Sequence, residues 1–369
     1  MGLRTVLLVA VPVLAMVLIL GGCGGGSNGQ VPASGGVGAA GATYVGNAVC
    51  GAACHTDIVN NQFTHTAHGQ NFRNTHATNF FDGAHASCEP CHTVGYGNPS
   101  GYVSIATTPQ FEGIGCEVCH GPGSKHAGSP STNAMPMPVP DAASTCFNCH
   151  LNTYKLMTKN PGQVYDADLF ATVANKVKGP SHPQTLELMG VLAADLPVTP
   201  SPHSLIDNTC VACHLQKDQG TLVLDPLIHS TYGDLSIPSG ADPIHGQGAL
   251  AVDPPTCIPC HGSQSSAQTL YSNHKNEFLT DMIALGGVDP KALGSPDPAC
   301  GGGMFAAFVT RHSLVISTNT AAQQTDPMME AYKAARWNYN YLISDLSNGT
   351  HNPTLADNII AQCQSLLSQ

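Results

Sequence analysis

Five copies of the pattern Cys-x-x-Cys-His are the most informative feature of this 369-residue chain. They are Cys88/Cys91/His92, Cys116/Cys119/His120, Cys146/Cys149/His150, Cys210/Cys213/His214 and Cys257/Cys260/His261. A sixth copy, Cys50/Cys54/His55, has three residues between its cysteines. Two thiols at this spacing can each form a thioether with one vinyl group of the same porphyrin, and the histidine that follows binds the iron from the proximal side. The sequence therefore predicts six covalently bound c-type haems.

Other uses of paired cysteines explain the pattern less well. A Cys-x-x-Cys pair can bind zinc or act as a redox thiol, and an exported protein can form disulfides. None of these requires a histidine directly after the second cysteine in every copy. Haem attachment is the interpretation that accounts for both residue types.

Three segments around the first sites resemble the multihaem c-type cytochromes, in particular their tetrahaem electron carriers. These segments are Tyr44–Asn47, Cys88–Tyr96 and Gly115–His126. The later sites match that family only by the bare attachment pattern. The resemblance implies electron transfer by a protein that is mostly irregular with short α-helices. Stacked haems would form its core, and His126 would supply the distal ligand of a neighbouring haem.

Histidines outside the attachment patterns are numerous enough to fill the sixth position of every iron. Twelve remain, namely His65, His68, His76, His85, His126, His182, His203, His229, His245, His274, His312 and His351. His68 and His274 each follow a proximal histidine by 13 residues, which indicates the same local role. His351 lies in a segment that resembles a distal-ligand segment of related cytochromes. We predict bis-histidine ligation, with the distal ligands His68, His126, His203, His229, His274 and His351.

Bis-histidine ligation decides between two classes of function. An iron with both axial positions filled exchanges electrons but binds no substrate. The first four attachment sites begin 38, 28 and 30 residues apart. These intervals are too short to wrap each haem separately, so the haems must touch. Electron transfer is therefore the leading hypothesis, the alternative being a nitrite- or hydroxylamine-type reductase with one open haem. A redox-inactive structural or adhesive lipoprotein is a third interpretation.

The N-terminus predicts export. Residues 1–22 contain Arg4 followed by an apolar run, Val6–Leu20, as in a signal peptide. The run ends before Cys23 in a sequence that resembles the bacterial lipobox, which predicts lipidation of Cys23. An uncleaved anchor is the alternative. Residues 23–43 would be a Gly-rich tether to a body held at the outer membrane or cell surface.

The remaining chain divides into a hexahaem region, 44–264, and a C-terminal region, 265–369, that lacks attachment patterns. In the second region Asp326 and Pro327 predict a helix start, and an apolar stripe continues to a stop at Gly349. A second helix over 355–367 would complete a helical hairpin. Cys300 and Cys363 are left for a disulfide.

Charge and composition restrict the partners. The chain has 13 Lys and Arg against 24 Asp and Glu, a formal charge of −11, which excludes binding of nucleic acid through a basic patch. We expect other cytochromes or quinol-linked donors as partners. The membrane would be reached through the lipid anchor, and the acceptor would be extracellular, such as a metal oxide. Polymerisation of the chain into a filament is a further expectation of the resemblance.

Overall fold

The fold is known from a computed structural model. It describes residues 40–52, 54–56, 59, 63, 67–70, 89–128, 142–150, 177, 179–180, 182–207, 209–214, 257–287, 302–317 and 326–369. Several predictions lie outside these residues. They concern the signal segment 1–22, Cys23 and most of the tether 23–43.

The described part of the haem-bearing region consists of helices of four to nine residues and irregular chain. These helices are α1 Asn47–Gly51, α2 Ala67–Gln70, α3 Glu89–His92, α4 Cys116–His120, α5 Ser124–Gly128, α6 Ala142–His150, α7 Gln184–Met189, α8 Thr209–His214 and α9 Ile258–His261, with 3₁₀ turns at Pro109–Phe111 and Pro202–Leu205. Within the described residues there is no strand, and an isolated antiparallel bridge joins Thr93 and Glu112. The prediction of a mostly irregular fold with short helices is confirmed.

The C-terminal region contains longer helices. They are α10 Gln264–Gly286, α11 Gly303–Arg311, α12 Pro327–Asp345 and α13 Pro353–Ser368. The side chains of Ser263, Asp326 and Asn352 accept backbone hydrogen bonds at the starts of α10, α12 and α13. Helices α12 and α13 form the predicted hairpin, and both pack on α11, while α10 packs on α11 and α13.

A continuous apolar core lies between these four helices. Met282 and Leu285 of α10, Phe305 of α11 and Ile359 of α13 are fully buried in it. The ring of Phe305 contacts Tyr332 edge-on at 5.6 Å. Helices of this length are stabilised mainly by burying such an apolar face, so this region holds together by its own side chains.

Helix α12 differs from its prediction in where it ends and in how much of it is buried. It stops at Asp345 instead of Gly349, because Leu346 adopts the left-handed conformation (φ 65°). The side of α12 opposite the apolar stripe is also buried, against an irregular segment of the haem-bearing region. There Arg336, Trp337 and Asn338 donate to the carbonyls of Val177, Leu192 and Ala194 at 2.9 to 3.0 Å. The packing therefore crosses the boundary predicted at residue 264.

Candidate haem-binding sites

Each attachment pattern with described cysteines lies on or next to a single helical turn. Residues three or four apart share one face of a helix, so the two thiols of a pattern point to the same side. The wider Cys50/Cys54 pair begins in α1, which contains Cys50, and the His55 N–H donates to the Cys50 carbonyl at 3.1 Å. Cys88 lies outside the described residues.

The described attachment cysteines differ in their exposure. The side chains of Cys54 and Cys260 are exposed, whereas those of the others, Cys50 and Cys257 among them, are half-buried.

A buried glutamate brings the first and third patterns together. The Glu117 carboxylate, on α4 and fully buried, accepts hydrogen bonds from the backbone N–H groups of Val45, Gly46 and Gly123 at 2.7 to 3.0 Å. The Asn47 side chain accepts from the Cys116 N–H at 2.8 Å. These bonds fix the segment before Cys50 against the helix that carries Cys116.

Four pairs of imidazole rings face each other at similar distances. The ring centroids of His55 and His126 are 6.3 Å apart, those of His68 and His150 5.9 Å, those of His92 and His182 6.0 Å, and those of His203 and His261 6.3 Å. His182 also lies 6.0 Å from His150. Each of the four pairs joins a proximal histidine to a histidine from another part of the chain.

This spacing fits two imidazoles on opposite sides of one metal ion. Imidazole nitrogen binds protein metals at about 2.0 to 2.1 Å, which places the centroids of two opposed rings about 6 Å apart. A pair of imidazoles supplies two ligands, and a haem iron takes its other four from the porphyrin. The donor set present therefore fits haem.

Hydrogen bonds at Nδ1 orient two of these rings and a third imidazole. The Nδ1 of His150 lies 3.0 Å from the Gln184 side-chain oxygen, and that of His203 lies 3.1 Å from the Thr350 carbonyl. The Nδ1 of His351 lies 2.8 Å from the Asp345 carboxylate. A ring that donates from Nδ1 leaves Nε2 with its lone pair for a metal.

The local environment shifts the pKa values of these imidazoles in two directions. Burial lowers the pKa of His150 and of His203, so both are neutral, as a metal ligand must be. Burial also acts on His351, but the adjacent Asp345 carboxylate outweighs it and raises the pKa of His351. The oxygen that faces the His351 Nδ1 therefore belongs to a carboxylate, whereas those that face His150 and His203 are uncharged.

Cysteines of different patterns lie next to one another. The thiol of Cys116 lies close enough to that of Cys50 to lower the pKa of Cys50, and Cys149 has the same effect on Cys91. The Cys146 thiol lowers the pKa of Cys210 to about 7. Burial, with the nearby Cys257 and Cys210 thiols, raises the pKa of Cys213 to about 11. Attachment sites far apart in sequence are thus neighbours in space.

The predicted distal histidines are distributed unevenly over these pairs. His68, His126 and His203 each face a proximal histidine, whereas the described ring neighbour of His274 is Phe278, at 6.4 Å. His229 lies outside the described residues. The structure brings His182 to a proximal ring, although it was not among the six chosen. His182 shares no sequence offset with another ligand, so only the count of spare histidines pointed to it.

Of the two cysteines predicted to form a disulfide, Cys363 lies within the described residues. Cys363 is buried, and its thiol donates to the Ala335 carbonyl at 3.4 Å. Cys300 lies outside the described residues, so the disulfide stays a prediction.

Among the helices of the described part of the chain, none has the length and apolar character needed to span a bilayer.

Comparisons with known proteins give matches to part of the chain. Residues 49–121 match the family described as cytochrome c554 and c-prime. A 41-residue stretch is 44% identical to cytochrome c-554 of Nitrosomonas europaea and covers 11% of this chain and 17% of that protein.

A solved structure, that of the outer cell wall cytochrome OcwA, superposes with a TM-score of 0.48 at 18% identity. The superposition covers 83% of this chain and 49% of OcwA. Both sequence matches are to proteins named as cytochromes, and they support haem c as the cofactor. The chain thus carries a cytochrome c554-like domain at residues 49–121, which supports its being a multihaem c-type cytochrome.

Proposed function

We propose that this chain transfers electrons through six haems c, each with two histidines on its iron. The four facing imidazole pairs carry the proposal. We assign His126 to His55 at site 1, His182 to His92 at site 2, His68 to His150 at site 4, and His203 to His261 at site 6, numbering sites along the chain. When bound, each haem supplies a one-electron Fe(III)/Fe(II) couple.

The remaining sites are assigned by proximity and by the supply of histidines. His351 interacts electrostatically with Cys210, a cysteine of site 5, which favours His351 as the distal ligand of that site. His229 and His274 remain the candidates for site 3. All six irons then have two imidazoles, and the chain's own residues leave no coordination place for a substrate.

Contacts between cysteines indicate the order of the sites in space. Site 1 adjoins site 3 through Cys50 and Cys116, and site 3 adjoins site 4 through Cys119 and Cys149. Site 2 adjoins site 4 through Cys91. Sites 4, 5 and 6 then follow one another through two further pairs, Cys146/Cys210 and Cys213/Cys257. The proposed path is therefore 1–3–4–5–6, with site 2 as a branch at site 4.

Sites 1 and 6 are the two ends of this path. Electrons would therefore enter and leave the chain at these two sites.

We further propose that the protein is exported and held by lipid on Cys23 at the outer membrane or cell surface. The N-terminal apolar run and the residues before Cys23 support this location. Other cytochromes or quinol-linked donors would reduce it, and an extracellular acceptor such as a metal oxide would oxidise it. Assembly of several copies into a filament would extend the same path.

Single distal-histidine variants test the assignments. We expect His182→Ala and His203→Ala each to keep six covalent haems by mass spectrometry and to convert one iron from low-spin to high-spin by electron paramagnetic resonance. His312→Ala is the matched control, because His312 is a half-buried histidine whose described ring neighbour is Phe308. Unchanged spectra of the first two variants would contradict the pairing. A high-spin iron with a free sixth coordination position in the unmodified protein would favour the reductase.

A further inference from the structure

His351 differs from the other oriented imidazoles in its hydrogen-bond acceptor. Its Nδ1 lies 2.8 and 3.0 Å from the two carboxylate oxygens of Asp345. His150 and His203 have instead the uncharged oxygens of Gln184 and Thr350. Among the described histidines with a recorded Nδ1 acceptor, His351 is the one that faces a carboxylate.

The chain holds this carboxylate in place. Asp345 is the last residue of α12, and the left-handed Leu346 turns the chain back toward it. The Ser347 N–H then donates to Asp345 at 3.1 Å, and the His351 N–H donates to the Ser347 hydroxyl at 3.2 Å. The Asp345–His351 contact is therefore part of a closed turn and does not depend on one flexible side chain.

Asp345 is buried next to a second acidic residue. Its side chain is 0% exposed. Glu187, also fully buried, lies beside it, and neither Glu187 oxygen has a hydrogen-bond donor of ordinary geometry. Of these two buried acids, Asp345 is the one at hydrogen-bond distance from the His351 ring.

A buried carboxylate at Nδ1 changes the metal-binding strength of the ring. Such a hydrogen bond gives the imidazole more anionic character and makes Nε2 a stronger donor. A stronger donor and a nearby negative charge both stabilise the ferric over the ferrous state, because the ferric state carries one more positive charge. Uncharged acceptors, as at His150 and His203, have a smaller effect.

We propose that Asp345 is a positioning residue that gives the haem at Cys210/Cys213 a lower reduction potential than the haems at sites 4 and 6. This inference rests on the proposed assignment of His351 to site 5. The step concerned is the transfer of one electron between neighbouring haem irons, one being oxidised as the other is reduced, with no bond formed or broken. A low-potential haem between sites 4 and 6 would limit the rate along the path.

Replacement of Asp345 by its neutral isostere tests the proposal on the complete haem-loaded protein. In Asp345→Asn we expect one haem to become easier to reduce, with its Fe(II)/Fe(III) ratio at fixed applied potential rising about tenfold, which corresponds to about 59 mV for one electron. The others should not shift beyond the small effect of a distant charge. Glu330→Gln is the control, because it removes a carboxylate from the same helix at a half-exposed position, where water screens the charge, and should leave all potentials in place.

Spectroelectrochemistry and electron paramagnetic resonance together separate the possible failures. Unchanged potentials in Asp345→Asn, with every iron low-spin, would overturn the role of Asp345 and leave the haem assignments intact. Missing haem or high-spin iron in the unmodified protein would instead overturn the proposed function.

A measurement on the unmodified protein covers the case in which Asp345→Asn does not fold. With ¹⁵N-labelled histidine, the axial ring N–H proton furthest downfield in the reduced protein reports the bond to a carboxylate. We expect it to belong to a haem that is reduced after those of sites 4 and 6. Its assignment to a haem reduced before them would overturn the proposal.

Discussion

The cytochrome c554-like part of the chain and the C-terminal helices are built on different principles. The described N-terminal part has a small apolar cluster, made of Tyr44, Val94, Tyr102, Phe111 and Val118. Its helices are one or two turns long. The C-terminal helices reach 23 residues and enclose a large core of aromatic and aliphatic side chains.

This difference shows where each part gets its stability. Isolated helices shorter than about 12 residues are marginal in water, so α1 to α9 need support from elsewhere. Thioethers and iron–imidazole bonds would supply that support, and the porphyrins would supply the missing apolar volume. The C-terminal helices already bury enough side-chain surface to hold together without a cofactor.

The largest expected effect is the loss of one haem from the N-terminal part. In Cys116→Ala/Cys119→Ala we expect amide hydrogens of residues 89–128 to exchange at rates close to those of an unfolded chain. Amides of α12 and α13 should stay protected, because their core contains no attachment site. Hydrogen exchange followed by mass spectrometry measures both regions in one sample. Equal loss of protection in the two regions would refute the comparison.

A cavity in the C-terminal core should destabilise the C-terminal helices without loss of haem. Phe305→Ala removes a fully buried ring that contacts Tyr332 and Tyr339, and we expect a loss of about 3 to 5 kcal/mol in the free energy of unfolding. The haem count and the low-spin spectrum should not change. Leu270→Ala is a suitable control, since Leu270 is 55% exposed and lies on α10. Chemical denaturation monitored by far-ultraviolet circular dichroism gives the free energies, and haem loss in Phe305→Ala would contradict the separation.

A smaller effect is expected from Glu117, which joins the first and third attachment sites. Glu117→Ala leaves three backbone N–H groups without their acceptor, and we expect a cost of about 2 to 4 kcal/mol to the N-terminal part. Hydrogen exchange of residues 40–52 should rise, with α12 unaffected. Glu112→Ala provides the control, since its carboxyl is partly exposed. Unaltered exchange in Glu117→Ala would show that haem alone fixes this segment.

Local sequence signals predicted the parts of the fold that depend on nearest neighbours. Asp326 and Pro327 placed the start of α12 correctly, and the second helix, predicted over 355–367, spans Pro353–Ser368. The end of α12 was predicted wrongly, because Gly349 was the expected terminator and Leu346 takes the left-handed conformation instead. There the Ser347 N–H donates to the Asp345 carboxylate and closes a turn, which a helix-stop rule based on glycine does not contain.

The residues of the candidate sites also fall into those that a local sequence pattern predicts and those that it does not. Attachment cysteines and proximal histidines follow from a five- or six-residue pattern, whereas distal ligands come from anywhere in the chain. His182 lies in a Pro-containing segment with a left-handed backbone (φ 51°), and its approach to His92 depends on how that segment packs on α12. The role of Asp345 depends likewise on a turn that closes only in the folded protein.

The most direct test of the whole account is to count the haems and their axial ligands in the purified, oxidised protein. Mass spectrometry should show six covalently attached haems. Quantitative electron paramagnetic resonance should show all irons low-spin, with the signals of bis-histidine ligation. A protein without covalent haem, or one in which most irons are high-spin, would contradict it.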